Sequence, residues 1–135
     1  MSRLHAFLNP VVRSKEKEVV ISDRFVDENG ELMTFKIRAL TQEENEAITR
    51  KATHTRMVNG HMQDYIDHVD FTRRTVVMAT LDPDFSSKEA CDACGVMDPL
   101  DVPSKMLFSG EFNRLAKEIT ELSGLSLDAG EQAKK

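Results

Sequence analysis

The chain has no tryptophan, one tyrosine and two cysteines among 135 residues. Two cysteines, Cys91 and Cys94, cannot build the multi-bridge framework of a small secreted domain. No apolar run approaches the ~20 residues that a membrane-spanning helix needs, and the first residues lack the apolar centre of a secretory signal. A cytoplasmic protein with no membrane partner is therefore expected. No basic block exists either. Residues 1–70 carry ten basic against twelve acidic side chains, and residues 71–135 eight against eleven, for a net charge of −5. Nucleic acid is thus not an expected partner, since its sequence-independent binding rests on clustered cations. The chain contains no G-x-S-x-G, P-loop, H-E-x-x-H or dinucleotide fingerprint. Neither an enzyme nor a cofactor is expected.

What is present is an ordinary soluble balance, 40% apolar and 30% charged. A chain of this length fits one domain and can bury roughly two-thirds of the surface that it exposes unfolded. The expected domain covers residues 1–127, with 1–17 as an arm and connector. Residues 128–135 (DAGEQAKK) have nothing to bury and are expected to be disordered.

The organising stretch is Glu18–Glu46. A β-branched run (Val19, Val20, Ile21) leads through Arg24, Phe25 and Val26 to Asn29-Gly30, a strong turn signal because both residues tolerate positive φ. Leu32–Arg38 then alternates, with Met33, Phe35 and Ile37 on one face, as a half-buried strand does. Thr41-Gln42-Glu43-Glu44 forms a capping box at the start of a helix that runs to about His54. This hairpin is the strongest sheet signal in the chain. Residues 54–62 lose periodicity and read as a loop turning at Asn59-Gly60.

A helix is expected from Asp64 to Leu81, with Tyr65, Val69, Thr72, Val76 and Ala79 at helical intervals. Ser86-Ser87-Lys88-Glu89 reads as a second capping box, and Gly95 as the stop of that short helix. Asp98-Pro99 and Pro103 imply one short helix or two fragments. Ser109 should cap a last helix whose stripe is Phe112, Leu115, Ala116, Ile119 and Leu122, ended by Gly124. The fold class is α+β: an N-terminal antiparallel β-hairpin followed by a bundle of four to five helices.

Few residues are candidates for chemistry. Cys91 and Cys94 lack the preceding strand of a redox pair and the further ligands of a zinc site, so two buried thiols in a short helix fit better. His61 and His68 lie near Asp64 and Asp67 in sequence, but polar loop and helix positions of this kind are ordinarily solvated. No metal ligand is assigned. The remaining signal is apolar surface. Leu4, Phe7 and Leu8 share one face of an arm that Asn9-Pro10 stops, and a helix of that length is marginal alone. Met57, Val58 and Met62 make the 54–62 loop more apolar than a loop requires. Each group either packs on the domain's own core or binds another protein; methionine-rich surfaces suit variable partners. These six residues are the candidate protein-binding site.

Residues 24–48, RFVDENGELMTFKIRALTQEENEAI, resemble the XkdN-like tail assembly chaperones of long-tailed phages and defective prophages. That family's pattern is an arginine-phenylalanine strand, a glycine turn, a second strand ending near IRAL and a capped acidic helix. His5-Ala6-Phe7-Leu8, Gly95-Val96-Met97, Lys105-Met106-Leu107 and Gly110-Glu111-Phe112 follow in family order, so the resemblance spans residues 4–125. It implies a chaperone that binds the tape measure protein, helps recruit the major tail tube protein, and is absent from the finished virion. Many weak copies along one long client would suit avidity, with a homo-oligomer as a further implied partner. The alternative reading is a head–tail connector or tail terminator subunit retained in the particle.

Overall fold

The computed structural model describes residues 3–11 and 14–125. In chain order its elements are α1 (Arg3–Leu8), β1 (Glu16–Val19), β2 (Phe35–Arg38), α2 (Gln42–Ala52), β3 (Thr53–Val58), β4 (His61–Ile66), α3 (His68–Ala79), β5 (Thr80–Asp82), α4 (Lys88–Cys94), a 3-10 turn (Pro99–Asp101), α5 (Val102–Met106) and α6 (Ser109–Leu122). β2 is the middle of a three-stranded antiparallel sheet, with β1 on one side and β5 on the other. Alternation along β2 decides its faces: Phe35 and Ile37 are buried, whereas Lys36 is exposed and pairs with Glu16 at 3.1 Å. Ile37, Val76, Phe85, Val102, Leu115 and Ile119 are fully buried in one contiguous core. The sheet and the last helix therefore share their apolar interior, as their stripes require.

The N-terminal hairpin is present but interrupted. Val19 pairs with Phe35, and a separate bridge joins Val26 to Leu32 beside the Asn29-Gly30 turn. Between those pairings six residues (20–25) on one side face two (33–34) on the other. The surplus is taken up by a turn at Asp23-Arg24. Met33 consequently falls outside β2 and is 44% exposed, not a core neighbour of Phe35 as alternation implied.

The local stops mostly sit where the side chains demand them. Thr41 and Glu44 close the capping box of α2, Asp67 caps α3 through Val69 and Asp70, and Gly95 takes the left-handed conformation (φ 68°) after α4. Ser87 rather than Ser86 is the cap of α4, and Phe108 rather than Ser109 precedes α6.

Three larger expectations are corrected. Residues 54–62 are not a loop, because β3 and β4 form a second hairpin around Asn59-Gly60. The helix expected from Asp64 starts at His68, since residues 64–66 complete β4. It ends at Ala79, because Thr80–Asp82 leave the helical path to pair with β2. Among the described residues there are six α-helices, since α1 is helical ahead of the sheet. The tail expectation for 128–135 lies outside the described residues.

Candidate functional site

The β3–β4 hairpin grows directly from the end of α2 and returns directly into α3. Its base is pinned by Asp67 N–H donating to Ala52 O at 2.8 Å. Thr55 Oγ1 donates to Asp64 Oδ1 across the strands at 3.0 Å, and the Arg56 guanidinium lies 4.6 Å from the Tyr65 ring centre. His54 stacks near Tyr65, with Nε2 3.4 Å from Asp70. The tip is a two-residue turn in which Asn59 (φ 52°) and Gly60 (φ 81°) both adopt positive φ, the geometry that matches strand twist.

Register places Met57 opposite Met62, and alternation puts both on the face that carries Ile66. Met57 is 65% exposed and Met62 63%. Val58 points to the other face opposite His61 and is half-buried. Two of the three loop candidates are thus brought together, and the third is not. Leu4, Phe7 and Leu8 line one side of α1 and are all more than 60% exposed, with no α1 residue buried.

A second surface was not legible in the sequence. Two adjoining depressions share His68, Thr72 and Asn113, and so make one groove along α3 and α6. On α6 it is lined by Ser109, Phe112, Asn113, Ala116, Lys117 and Thr120, which recur every three or four residues as one helical face. The face beyond it carries the buried Glu111 and Leu115, and the buried Ile119 reaches the groove between the two faces. Leu40 and Phe71 form the apolar wall at one end, Val69 and Leu107 at the other. Val69, expected in the core, is instead 64% exposed here.

The ion pairs sit elsewhere. Arg24 donates to Glu111 from Nε (2.8 Å) and Nη2 (2.7 Å), and Nη2 also reaches Met106 O at 2.9 Å. The Arg24 guanidinium stacks on Phe25 and Phe108, 4.8 and 4.1 Å from their ring centres. The Arg24 hydrogen bonds hold the Glu111 carboxyl at about 2, below its ordinary 4.5, helped by the Ser22 side chain and the Phe108 N–H. Arg38 grips Glu44 in the same bidentate way (2.9 and 2.7 Å), and that carboxyl also sits at about 2. The arginine-phenylalanine pair at 24–25 was the visible signal of the first clasp, although its acidic partner was not.

Cys91 is buried and Cys94 half-buried in α4, both as free thiols. His61 lies at the hairpin tip and His68 opens α3, apart from any shared cluster. Among the described residues no group of three His, Cys, Asp or Glu could hold a metal ion, and no helix is long and apolar enough to cross a membrane.

The family model for "Phage XkdN-like tail assembly chaperone protein, TAC" matches residues 4–135. The chain is 30% identical over 119 residues to the protein YqbN of Bacillus subtilis (strain 168), covering 87% of this chain and 80% of that one. It is 29% identical over 120 residues, with the same coverage, to the phage-like element PBSX protein XkdN of the same organism. A crystal structure of YqbN superposes with a TM-score of 0.75 at 27% identity, covering 90% of this chain and 96% of that one.

Proposed function

The chain belongs to the XkdN-like phage tail assembly chaperones, and we propose that it keeps the tape measure protein soluble and helps bring the major tail tube protein to it. The observation that carries this reading is the Met57–Met62 pair at the end of an exposed hairpin. A lone two-stranded hairpin is marginally stable in water, and this one spends none of its methionine surface on the domain's core. Flexible, polarizable thioethers adapt to apolar partners whose side chains vary along their length. Leu4, Phe7 and Leu8 on α1 offer a second patch of the same kind. Weak patches act together when many copies line one client, so self-association belongs to this reading. The work is done in the host cytoplasm, before the particle is complete, and nothing in it calls for catalysis.

Co-expression with the tape measure protein tests the proposal. Wild-type protein should keep that client in the soluble fraction, and Met57→Ser with Met62→Ser should lower the soluble share. Deletion of residues 1–9 should lower it further. Client solubility untouched by all these changes would sink the assignment of Leu4, Phe7, Leu8, Met57 and Met62. Stoichiometric recovery of the chain in purified virions would favour the retained connector or terminator instead.

A further inference from the structure

We infer that the α3–α6 groove seats one amphipathic helix whose flanks carry carboxylates. The groove follows one face of α6 from Ser109 to Ser123, about 21 Å at 1.5 Å per residue. That length matches roughly four turns of a docked helix. Its walls are apolar at both ends, around Phe71 and Leu40 on one side and Leu107 and Phe112 on the other. Helices that bind such grooves do so through apolar side chains at i, i+3, i+4 and i+7.

Charge selects the occupant. The chain carries a net −5, yet no carboxylate lines this groove. Its titratable residues are His68, Arg73 and Lys117. None of the acidic residues of α3 and α6 lines it: Asp70 pairs with Arg74 and His54, Glu118 with Lys17 and Glu111 with Arg24, while Glu121 lies exposed outside the lining. Arg73 reaches Asp101 only at 3.6 Å, and Lys117 has no ion-pair partner among the described residues. A cationic rim on an apolar trough complements a helix with glutamate or aspartate beside its apolar stripe, and disfavours a basic one. The chain's own α1, RLHAFL, carries Arg3 and His5 and no carboxylate, so α1 of a second copy does not fit.

The inference rests on the client-holding reading only for where the helix comes from. Its test uses two labelled synthetic helical peptides on the full chain. Both carry leucines at i, i+3, i+4, i+7 and i+11; one has glutamates on the flanks and the other lysines at the same places. Fluorescence anisotropy should show the acidic peptide binding at least tenfold tighter. Arg73→Glu with Lys117→Glu should reverse that preference, and Asn113→Trp, which fills the trough, should weaken both peptides. Circular dichroism melting checks that each variant is folded. Equal binding of the two peptides, or preference unmoved in the charge-reversed protein, overturns the inference. So does displacement of the acidic peptide by a peptide of residues 2–9, which would make the groove a self-contact. Acidic-peptide selectivity without client solubilisation would leave the groove standing and remove the tape measure reading. Solubilisation without selectivity would do the opposite.

Discussion

The Arg24 guanidinium and the Glu111 carboxylate, 87 positions apart in sequence, meet through two parallel hydrogen bonds of 2.8 and 2.7 Å. The pair ties the 20–34 excursion of the first hairpin to the start of α6. Glu111 also accepts from Phe108 N–H at 2.7 Å, so one carboxylate closes the first turn of α6 and anchors a distant loop. Stacking of Arg24 on Phe25 and Phe108 orients the guanidinium. Lysine cannot copy that arrangement, because it lacks the planar fork and presents a strongly hydrated point charge.

Arg24→Lys should therefore melt below the wild type and Arg24→Ala lower still. Glu111→Gln, which keeps the cap acceptor but loses the charge, should fall between wild type and Glu111→Ala. Identical melting temperatures across this set would mean that the clasp contributes nothing to the fold.

Acid should destabilise the protein in a defined window. The Glu44 and Glu111 carboxyls both sit at about 2 in the folded chain, under an ordinary value of 4.5. Each holds its proton less tightly when folded than when unfolded, so its contribution is complete above 4.5 and is lost as pH falls from there toward 2. Urea midpoints should hold steady from pH 7 to 5 and drop between 4.5 and 2. Glu111→Gln should show a shallower drop, and a wild-type-like acid slope in that variant would assign the window to other groups.

Core and periphery should separate cleanly between α6 and the first hairpin. Leu115 is fully buried, so Leu115→Ala should cost about 2–5 kcal/mol. Met33, at 44% exposure, should lose at most about 0.5 kcal/mol on Met33→Ala. Chemical denaturation of the two variants measures both, and a large loss at Met33 would put that side chain back in the core.

The second hairpin should loosen without the domain unfolding. A Cβ at Gly60 would meet nothing within 4 Å, so Gly60→Ala costs only the left-handed backbone at φ 81°, about 1–2 kcal/mol. Amide exchange should accelerate in residues 53–66 while the core amides of α6 stay protected. Exchange quickened equally throughout would show that the hairpin and the core unfold together.

Local chemistry made much of this legible in advance. Thr41 with Glu44, Asp98 with Pro99, Gly95 and Gly124 mark element ends through backbone demands that hold wherever the helix sits. The 24–48 stretch carried the family resemblance, and Phe35 with Ile37 declared a buried strand face. The β3–β4 hairpin escaped because its faces are both wet. His54, Arg56 and Gln63 alternate with Thr55, Met57 and Asp64, so the period-two contrast that betrays a half-buried strand is absent. β5 escaped for the opposite reason, since Thr80 and Leu81 continue the spacing of α3 and only pairing with β2 draws them out.

The residue order by itself determined the caps at Thr41 and Asp98, the turns at Asn29-Gly30 and Asn59-Gly60 and the amphipathic stripe of α6, because each depends on neighbours within a few positions. Tertiary structure alone decided that Glu111 would face Arg24, that Met57 and Met62 would stand together in solvent, and that Phe112 and Ala116 of the α6 stripe would stay half-buried along the groove beside α3. Those outcomes depend on how elements separated by tens of residues come to lie against one another, and the side chains of α6 are equally apolar whether a neighbour covers them or not.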